Sequence, residues 1–347
     1  SVYVFKHALI QDVVYQTLLK STRQIYHRKI AQVLEESFPD TVEANPELLG
    51  HHYMEAGLAE PAIQYLQRAG EKAINRSAHV EALAYFMKAL SLLKNLPEIR
   101  ERDQNELVLR IGMCPALIVT KGYSAPEVGQ NLSRARELCQ QVGDNTQLLQ
   151  VLTGLYSFHL VRAEYQTAYQ LGEQLLTPTQ RKQDSGLIMM AQRQLGIALF
   201  WLGEFTSSQD HLEQAIANYD PQRHYSQTFS RSAHIMQHFL LYGALILEWL
   251  GYPDQAIKKS REAISLANEI SHPYSIATAM FFSAWLHYSR REVTTTQELA
   301  DTAINVSSEH GFPFWQSGGN ILLGWTMAEQ GKTEEGIAQI HQSLSSF

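Results

Sequence analysis

A Gly-Lys-Thr triplet near the end of the chain is the first stretch whose residue types could do chemistry. It lies in residues 329–336, EQGKTEEG, and it matches the end of a nucleotide-binding phosphate loop. Such a loop needs Gly, four residues and then Gly-Lys-Ser/Thr, so that backbone N–H groups wrap the phosphates. Here six residues separate Gly324 from Gly331, and the preceding ILLGWTMAE is typical of an apolar helix. We therefore expect no ATP site and no cofactor, and Gly331 needs another explanation.

Two pairs of histidines are the next candidates for chemistry. His234 and His238 are spaced to share a helix face and could hold one metal ion between them, but no Glu follows His234 and no third ligand is evident. His51 and His52 point in different directions around a helix, which disfavours a chelate. Gly-x-Ser-x-Gly, paired Cys-x-x-Cys and a Gly-rich dinucleotide loop do not occur. The sequence predicts no catalytic residue, no metal site and no enzyme activity for this segment.

Composition and charge narrow the class further. The 347 residues are 45% hydrophobic and 18% charged, which is typical of a globular protein. The net charge is −7, and residues 291–347 carry seven acidic against two basic side chains, so we expect no nucleic-acid binding. No apolar run approaches the roughly 18 residues of a membrane span. Two cysteines give no disulfide framework, which favours a cytoplasmic location.

Small residues recur at fixed distances around Gly331, with Gly324 seven positions before it and Gly336 five positions after it. The same offsets are found around Gly203, Gly251 and Arg291. Positions 123, 163 and 203 are 40 apart, and so are 251, 291 and 331. A period of about 40 residues is typical of an array of α-helical hairpins.

The physical chemistry of glycine agrees with a hairpin array. Glycine inside a helix costs about 0.5–1 kcal/mol relative to alanine, so its recurrence indicates a close approach of two packed helices. The central residue of each set then lies in the turn, where glycine tolerates a positive φ. We therefore predict that Gly331 forms a helix-hairpin turn, that Lys332 faces solvent and that Thr333 caps the next helix.

The motif around Gly57 resembles a tetratricopeptide repeat (TPR). It reads Leu49-Gly50-x-x-Tyr53-x3-Gly57-x4-Ala62-x3-Leu66-x2-Ala69, and Leu323-Gly324…Gly331 resembles its first half. The resemblance implies an all-α fold, a right-handed α-α superhelix of TPR-like helical hairpins. The period of about 40 residues exceeds the family's 34, so the helices should be longer. A similar pattern at Ser77, only 20 residues after Gly57, suggests one helix that serves two adjacent hairpins.

The N-terminal segment lies outside this repeat. FKHALIQDVVYQTLLKSTRQIYHRKIAQVLEE predicts two amphipathic helices, the second from about Ser21. With PELLGHHYMEAG and INRSAHVEAL, this run resembles the region after the ATPase module of large bacterial signalling proteins, namely STAND-type AAA ATPases fused to class III nucleotide cyclases or protein kinases. LGYPDQAI, SHPYSIA and HGFPFW resemble their TPR tails. The resemblance implies that residues 1–40 end a winged-helix-like adaptor behind a missing ATPase module, and that residues 41–347 form the TPR-like array.

Two sets of residues are candidates for partner binding. In TPR-like hairpins the first helix lines the concave groove, and its groove-facing places lie three before, one after and four after the small residue. These places are occupied by Arg193, Phe200, Phe281, Trp285, Tyr288 and Trp325. Aromatic side chains with few charges suit a peptide or helix ligand, although helical aromatics also form cores. Lys20, Arg23, Arg28 and Lys29 form a basic patch, either a solvated helix face or a docking surface for the ATPase module.

These features together predict a non-catalytic scaffold for signal transduction in a multidomain bacterial ATPase. It would bind a protein or peptide partner in its groove and regulate the attached module. The alternative is a helical sensor domain that binds a small effector, as part of an ATP-dependent transcription activator or a cyclase.

Overall fold

The computed structural model of the protein describes residues 15–97, 100–182, 184–218 and 229–344. Within these ranges every regular element is an α-helix and no strand occurs, so the predicted all-α, TPR-like class is confirmed. The chain divides into two compact units, Ser1–Glu164 and Tyr165–Phe347.

The first unit contains helices α1 to α8. They span Lys20–Ser37 (α1), Pro39–Ala44 (α2), Pro46–Glu55 (α3), Ala59–Asn75 (α4), His79–Leu93 (α5), Arg100–Lys121 (α6), Pro126–Val142 (α7) and Asn145–Val161 (α8). Helix α1 packs against α3, and from α3 onward each helix packs against the next. The helix expected from about Ser21 begins at Lys20, and most of the helix predicted before it lies outside the described residues.

The second unit contains helices α9 to α17. They span Tyr165–Lys182 (α9), Ser185–Leu202 (α10), Phe205–Ala217 (α11), Phe229–Trp249 (α12), Pro253–Ile270 (α13), Pro273–Ser289 (α14), Val293–His310 (α15), Pro313–Glu329 (α16) and Thr333–Leu344 (α17). Each helix packs against the next, and α10, α12, α14 and α16 also contact one another in that order. These four, which we call the inner helices, are the first helices of successive hairpins.

The predicted turn residues adopt the left-handed conformation. Gly57, Gly203, Gly251 and Gly331 have φ between 75° and 92°, and Arg291 has φ 59°. In the last turn Gly331 N–H donates to Ala328 O (3.1 Å) and the next residue's N–H donates to Met327 O (2.9 Å). This pair of bonds is a Schellman motif, which satisfies carbonyl groups at the end of a helix.

Ser77 (φ 60°) lies in a turn between α4 and α5, and α4 packs against both α3 and α5, so one helix serves two adjacent hairpins as predicted. One detail of the repeat differs from the sequence-based expectation. The left-handed residue after α6 is Gly122 (φ 91°) and not its neighbour Tyr123, because glycine carries no Cβ to oppose that conformation.

The small residues before and after each turn face each other, as predicted. A Cβ added to Gly324 would lie 2.7 Å from Gly336 O, and one added to Gly196 would lie 2.7 Å from Leu212 Cδ2. The Ser208 hydroxyl donates to Gly196 O at 2.6 Å in a buried position. The glycines therefore allow the backbone of the first helix of a hairpin to come into contact with atoms of the second helix.

Candidate partner-binding face

The Gly-Lys-Thr segment is the turn between α16 and α17. The N–H groups of Gly331, Lys332 and Gly336 all bond to carbonyl groups within 3.1 Å, so they are not available to a phosphate. The first turn of α17 carries Glu334 and Glu335, which would repel an anion. The prediction that Thr333 caps α17 is wrong, because Thr333 is the first helical residue. Lys332 precedes the helix, and its carbonyl accepts the Gly336 N–H.

The metal candidates give no site among the described side chains. No group of three or more His, Cys, Asp or Glu within those residues is arranged to hold a metal ion. The side chain of His234 lies outside the described residues, whereas His238 is half-buried on α12. His51 and His52 form part of a different cluster, which includes His27.

Five of the six predicted groove residues keep some exposed surface, and only Phe200 is buried. Trp285 and Tyr288 lie one turn apart on α14, and Trp325 lies on α16. The rings of Tyr288 and Trp325 meet edge to face with centroids 4.8 Å apart. Tyr288 is 37% exposed, and both tryptophans are partly buried. Adjacent helices thus present these three rings together.

Of the other two aromatic candidates, Phe200 is buried, whereas Phe281 is half-buried and packs with Trp285 against one core cluster. Phe200 is only 5% exposed. Phe281 lies against α16, where a Cβ added to Gly318 would come within 2.6 Å of its ring. Leu241 and Leu245 of α12, which occupy equivalent places, are each 1% exposed. The offset rule therefore identifies the inner side of a helix, but it does not separate side chains that face solvent from those that pack against the next helix.

Two aromatic residues that the sequence analysis did not select complete the surface. Trp201 of α10 stacks on Trp285 at a centroid distance of 5.5 Å and an interplanar angle of 29°. Tyr165 of α9 also stacks on Trp201, at 5.5 Å and 13°. Trp201 lies five residues after Gly196, whereas the last groove-facing offset is four residues after the small residue. The offsets therefore do not identify Trp201. We call Tyr165, Trp201, Trp285, Tyr288 and Trp325 the aromatic face.

Arg193, the remaining candidate, lies on α10 close to Tyr242 of α12. Burial raises the pKa of Tyr242 to about 12, although the hydrogen bond from the Trp201 side chain and the charge of Arg193 both lower it. Tyr242 therefore remains a neutral phenol near pH 7, and its hydroxyl links Trp201 to α12. Arg193 is half-buried.

The inner helices carry very little charge. Arg193, Arg231, Glu248 and Glu329 are their only Asp, Glu, Lys or Arg residues, and α14 has none, whereas α11, α13, α15 and α17 together carry thirteen. Glu248 pairs with Arg290 at 3.1 Å, and Arg290 also pairs with Glu292. Charge on the inner helices is thus sparse, and that of Glu248 is compensated by Arg290.

The basic residues near the N-terminus are spread over more than one side of α1. Lys20, Arg28 and Lys29 are exposed, while Arg23 is half-buried with its guanidinium 5.2 Å from the centre of the Tyr15 ring. Lys29 borders an apolar hollow on the same helix, lined by Tyr26, Ile30, Val33 and Leu34. No helix among the described residues is long and apolar enough to cross a membrane.

No family model matches the sequence. An uncharacterized protein of Rhizobium meliloti (strain 1021) is 21% identical over 346 residues, which are 99% of this chain and 33% of that protein. The chain therefore spans about a third of the length of this relative.

Solved structures show what class of protein the fold defines. The apo form of the quorum sensor NprR from B. thuringiensis matches with a TM-score of 0.65 at 11% identity, over 98% of this chain and 92% of that one. The Rap conjugation gene regulator of plasmid pLS20, in complex with the Phr* peptide, matches with 0.58 at 13% identity, over 86% and 75%. A STAND protein with a tetratricopeptide repeat sensor from Pyrococcus horikoshii matches with 0.52 at 11%, over 92% and 46%. The chain has the fold of a TPR-like helical repeat protein.

Proposed function

We propose that this chain is a non-catalytic sensor scaffold whose aromatic face binds a peptide or an extended segment of a protein. The observation that carries the proposal is a cluster of five aromatic rings, four of them on inner helices that have only four charged residues and the fifth, Tyr165, on α9. Aromatic anchors on a preformed surface supply most of the binding energy in peptide recognition. The similar Rap regulator was solved with a peptide, which supports the same kind of ligand here.

The charge distribution specifies the chemistry of that ligand. Because the inner helices are nearly uncharged, the peptide should bind mainly through apolar and aromatic side chains. Its affinity should then change little with ionic strength, since screening weakens only interactions between charges. A nucleic acid or another polyanion would find one half-buried arginine, Arg193, at this surface.

We also propose a place for the scaffold in a larger signalling ATPase. Residues 1–40 would end an adaptor, residues 41–347 would sense the partner, and the exposed Lys20, Arg28 and Lys29 would contact an acidic surface of the ATPase module together with Arg23. Two comparisons support this arrangement. The bacterial relative is about three times as long as the matched segment, and the similar STAND protein carries a TPR sensor.

A binding selection tests the proposed ligand class. The purified chain would be screened against a random heptapeptide library, and in parallel its melting temperature would be measured with a panel of common metabolites. We expect enrichment of peptides rich in Leu, Ile, Phe and Trp, with affinities that persist at high salt. Stabilisation by a metabolite without peptide enrichment would instead indicate a small-effector sensor, and the peptide proposal would be wrong.

A further inference from the structure

Three histidines from two helices meet in the first unit, away from the aromatic face. His27 of α1 and His52 of α3 face each other with their Nδ1 atoms 2.8 Å apart. The Tyr15 hydroxyl lies 2.7 Å from the other ring nitrogen of His27. The His51 ring lies 5.7 Å from that of His27, centroid to centroid. His27 is 7% exposed, so the bond between the two imidazoles is largely shielded from water.

The number of protons on the pair decides whether this bond exists. When both rings are neutral, one Nδ1–H donates and the other Nδ1 accepts, and Tyr15 can serve His27 Nε2 as donor or acceptor. When the pair takes up one proton, one of the two Nδ1 atoms can still lack a hydrogen and accept the bond. A second added proton places an N–H on both Nδ1 atoms and a positive charge on both rings, so the 2.8 Å contact becomes repulsive.

The surroundings of the pair mainly oppose its protonation. Burial lowers the pKa of His27 below 6.5, the nearby His51 and Arg23 lower it further, and Glu55 of α3 acts in the opposite direction. Burial, followed by His27 and His51, lowers the pKa of His52. Because folding depresses both values, the stability that the pair contributes is fully present above pH 6.5 and decreases as the pH falls below it.

We propose that the His27–His52 pair is a pH-sensitive latch that holds α1 on α3 at neutral pH and releases it on acidification. The pair sits where α1 meets the first hairpin of the array, and Ala31 and Leu49 are buried in the same contact region. Release of α1 would change the orientation of the exposed basic residues Lys20, Arg28 and Lys29 relative to the hairpins. The latch would thereby make the N-terminal surface responsive to acidification below about pH 6.5.

Hydrogen exchange of the full chain at pH 7.5 and pH 5.0 tests the latch, with exchange times corrected for the intrinsic pH dependence. We expect the protection of α1 to fall clearly at pH 5.0 relative to that of α17, because the doubly protonated pair no longer holds α1 on α3. His52→Asn places an amide near the Nδ1 position without a titrating ring. In this variant α1 should keep its protection at both pH values.

The matched control is His341→Asn, which removes an exposed histidine on α17 and should behave like the unaltered chain. If the protection of α1 in the unaltered chain changes no more than that of α17, the proposal is wrong. It is also wrong if α1 of His52→Asn loses protection on acidification as the unaltered chain does. Should His52→Asn fail to protect α1 at pH 7.5, NMR titration of His27 and His52 in the unaltered chain decides the question. The latch requires both rings to titrate together with the loss of α1 protection.

Discussion

Two glycines of the last hairpin separate the two physical roles of glycine in the repeat. Gly331 has φ 92°, and a Cβ added there would meet nothing within 4 Å. A Cβ added to Gly336 would collide with the backbone oxygen of Gly324 and lie 2.9 Å from Ala328 N. The first residue is needed for its conformation and the second for its small size.

Alanine substitutions should therefore differ in cost. Gly331→Ala should lower the free energy of unfolding by about 1–2 kcal/mol, which is the strain of an alanine in the left-handed region. Gly336→Ala should cost more, because backbone atoms cannot move aside without separating α16 from α17. Urea unfolding of both variants measures the difference. Equal costs would show that the two helices are not in close contact at this point.

Glu292, in the turn between α14 and α15, pairs with His287 and Arg290. Although burial opposes it, hydrogen bonds from His287 and Arg290 hold the pKa of Glu292 below its usual value. Since the folded-state pKa is depressed, the stabilisation is present above pH 4.5 and is lost as the pH falls through the folded value.

We expect Glu292→Gln to lower the stability at pH 7 by less than about 1 kcal/mol, because this ion pair is partly exposed. The difference from the unaltered chain should shrink at pH 4, where the carboxylate of Glu292 in the unfolded chain is largely protonated. Urea unfolding at both pH values measures it. Glu298→Gln, at an exposed position of α15, is the matched control and should have little effect at either pH. A difference that grows on acidification would contradict the assignment.

At the scale of elements, the packing of α4, α5 and α6 depends on one side chain. Phe86 of α5 is fully buried, and its ring lies against Gly70 of α4 and Gly112 of α6, where added Cβ atoms would come within 2.6 and 3.0 Å of it. Large and small residues thus complement each other across two helix pairs. The contact explains why glycine persists inside both neighbouring helices despite its low helix propensity.

Truncation of this ring should destabilise the first unit strongly. Phe86→Ala removes a fully buried phenyl group and leaves a cavity that only an inward movement of two helices could fill. We therefore expect the free energy of unfolding to fall by about 3–5 kcal/mol. Phe86→Leu should cost less because it fills part of the space. Both losses can be measured by chemical denaturation followed by circular dichroism at 222 nm. A loss below about 1 kcal/mol for Phe86→Ala would mean that the ring is not the packing element described here.

The sequence predicts the helical hairpins better than it predicts the surface between them. Gly203, Gly251 and Gly331 reveal their turns because few other residues adopt a positive φ. The fate of an aromatic residue depends instead on the helix that packs opposite it. Phe281 packs against α16 because Gly318 lets its ring approach, and Trp201 joins the aromatic face because Trp285 reaches it from another hairpin. Neither relation leaves a periodic signal in the sequence.

At the scale of the whole molecule, the protein is built from helices alone throughout the residues that the structure describes. The inner helices carry few charged residues, whereas α11, α13, α15 and α17 carry many. This difference distinguishes the face proposed to bind a peptide from the opposite, charged helices. The aromatic face should act as a recognition surface, since several of its rings remain partly exposed where complete burial would be expected of core residues.

The affinity of a peptide selected on the unaltered chain, measured by calorimetry for Trp285→Ala, tests this claim most directly. Trp249→Ala is the matched control, because Trp249 is 54% exposed, stacks on Phe205 and lies outside the aromatic face. We predict a loss of about 2 kcal/mol or more for Trp285→Ala and no loss for the control, with both variants still folded. Full affinity in folded Trp285→Ala would contradict the account. So would the collapse of its stability together with that of Tyr288→Ala, because these rings would then be core residues.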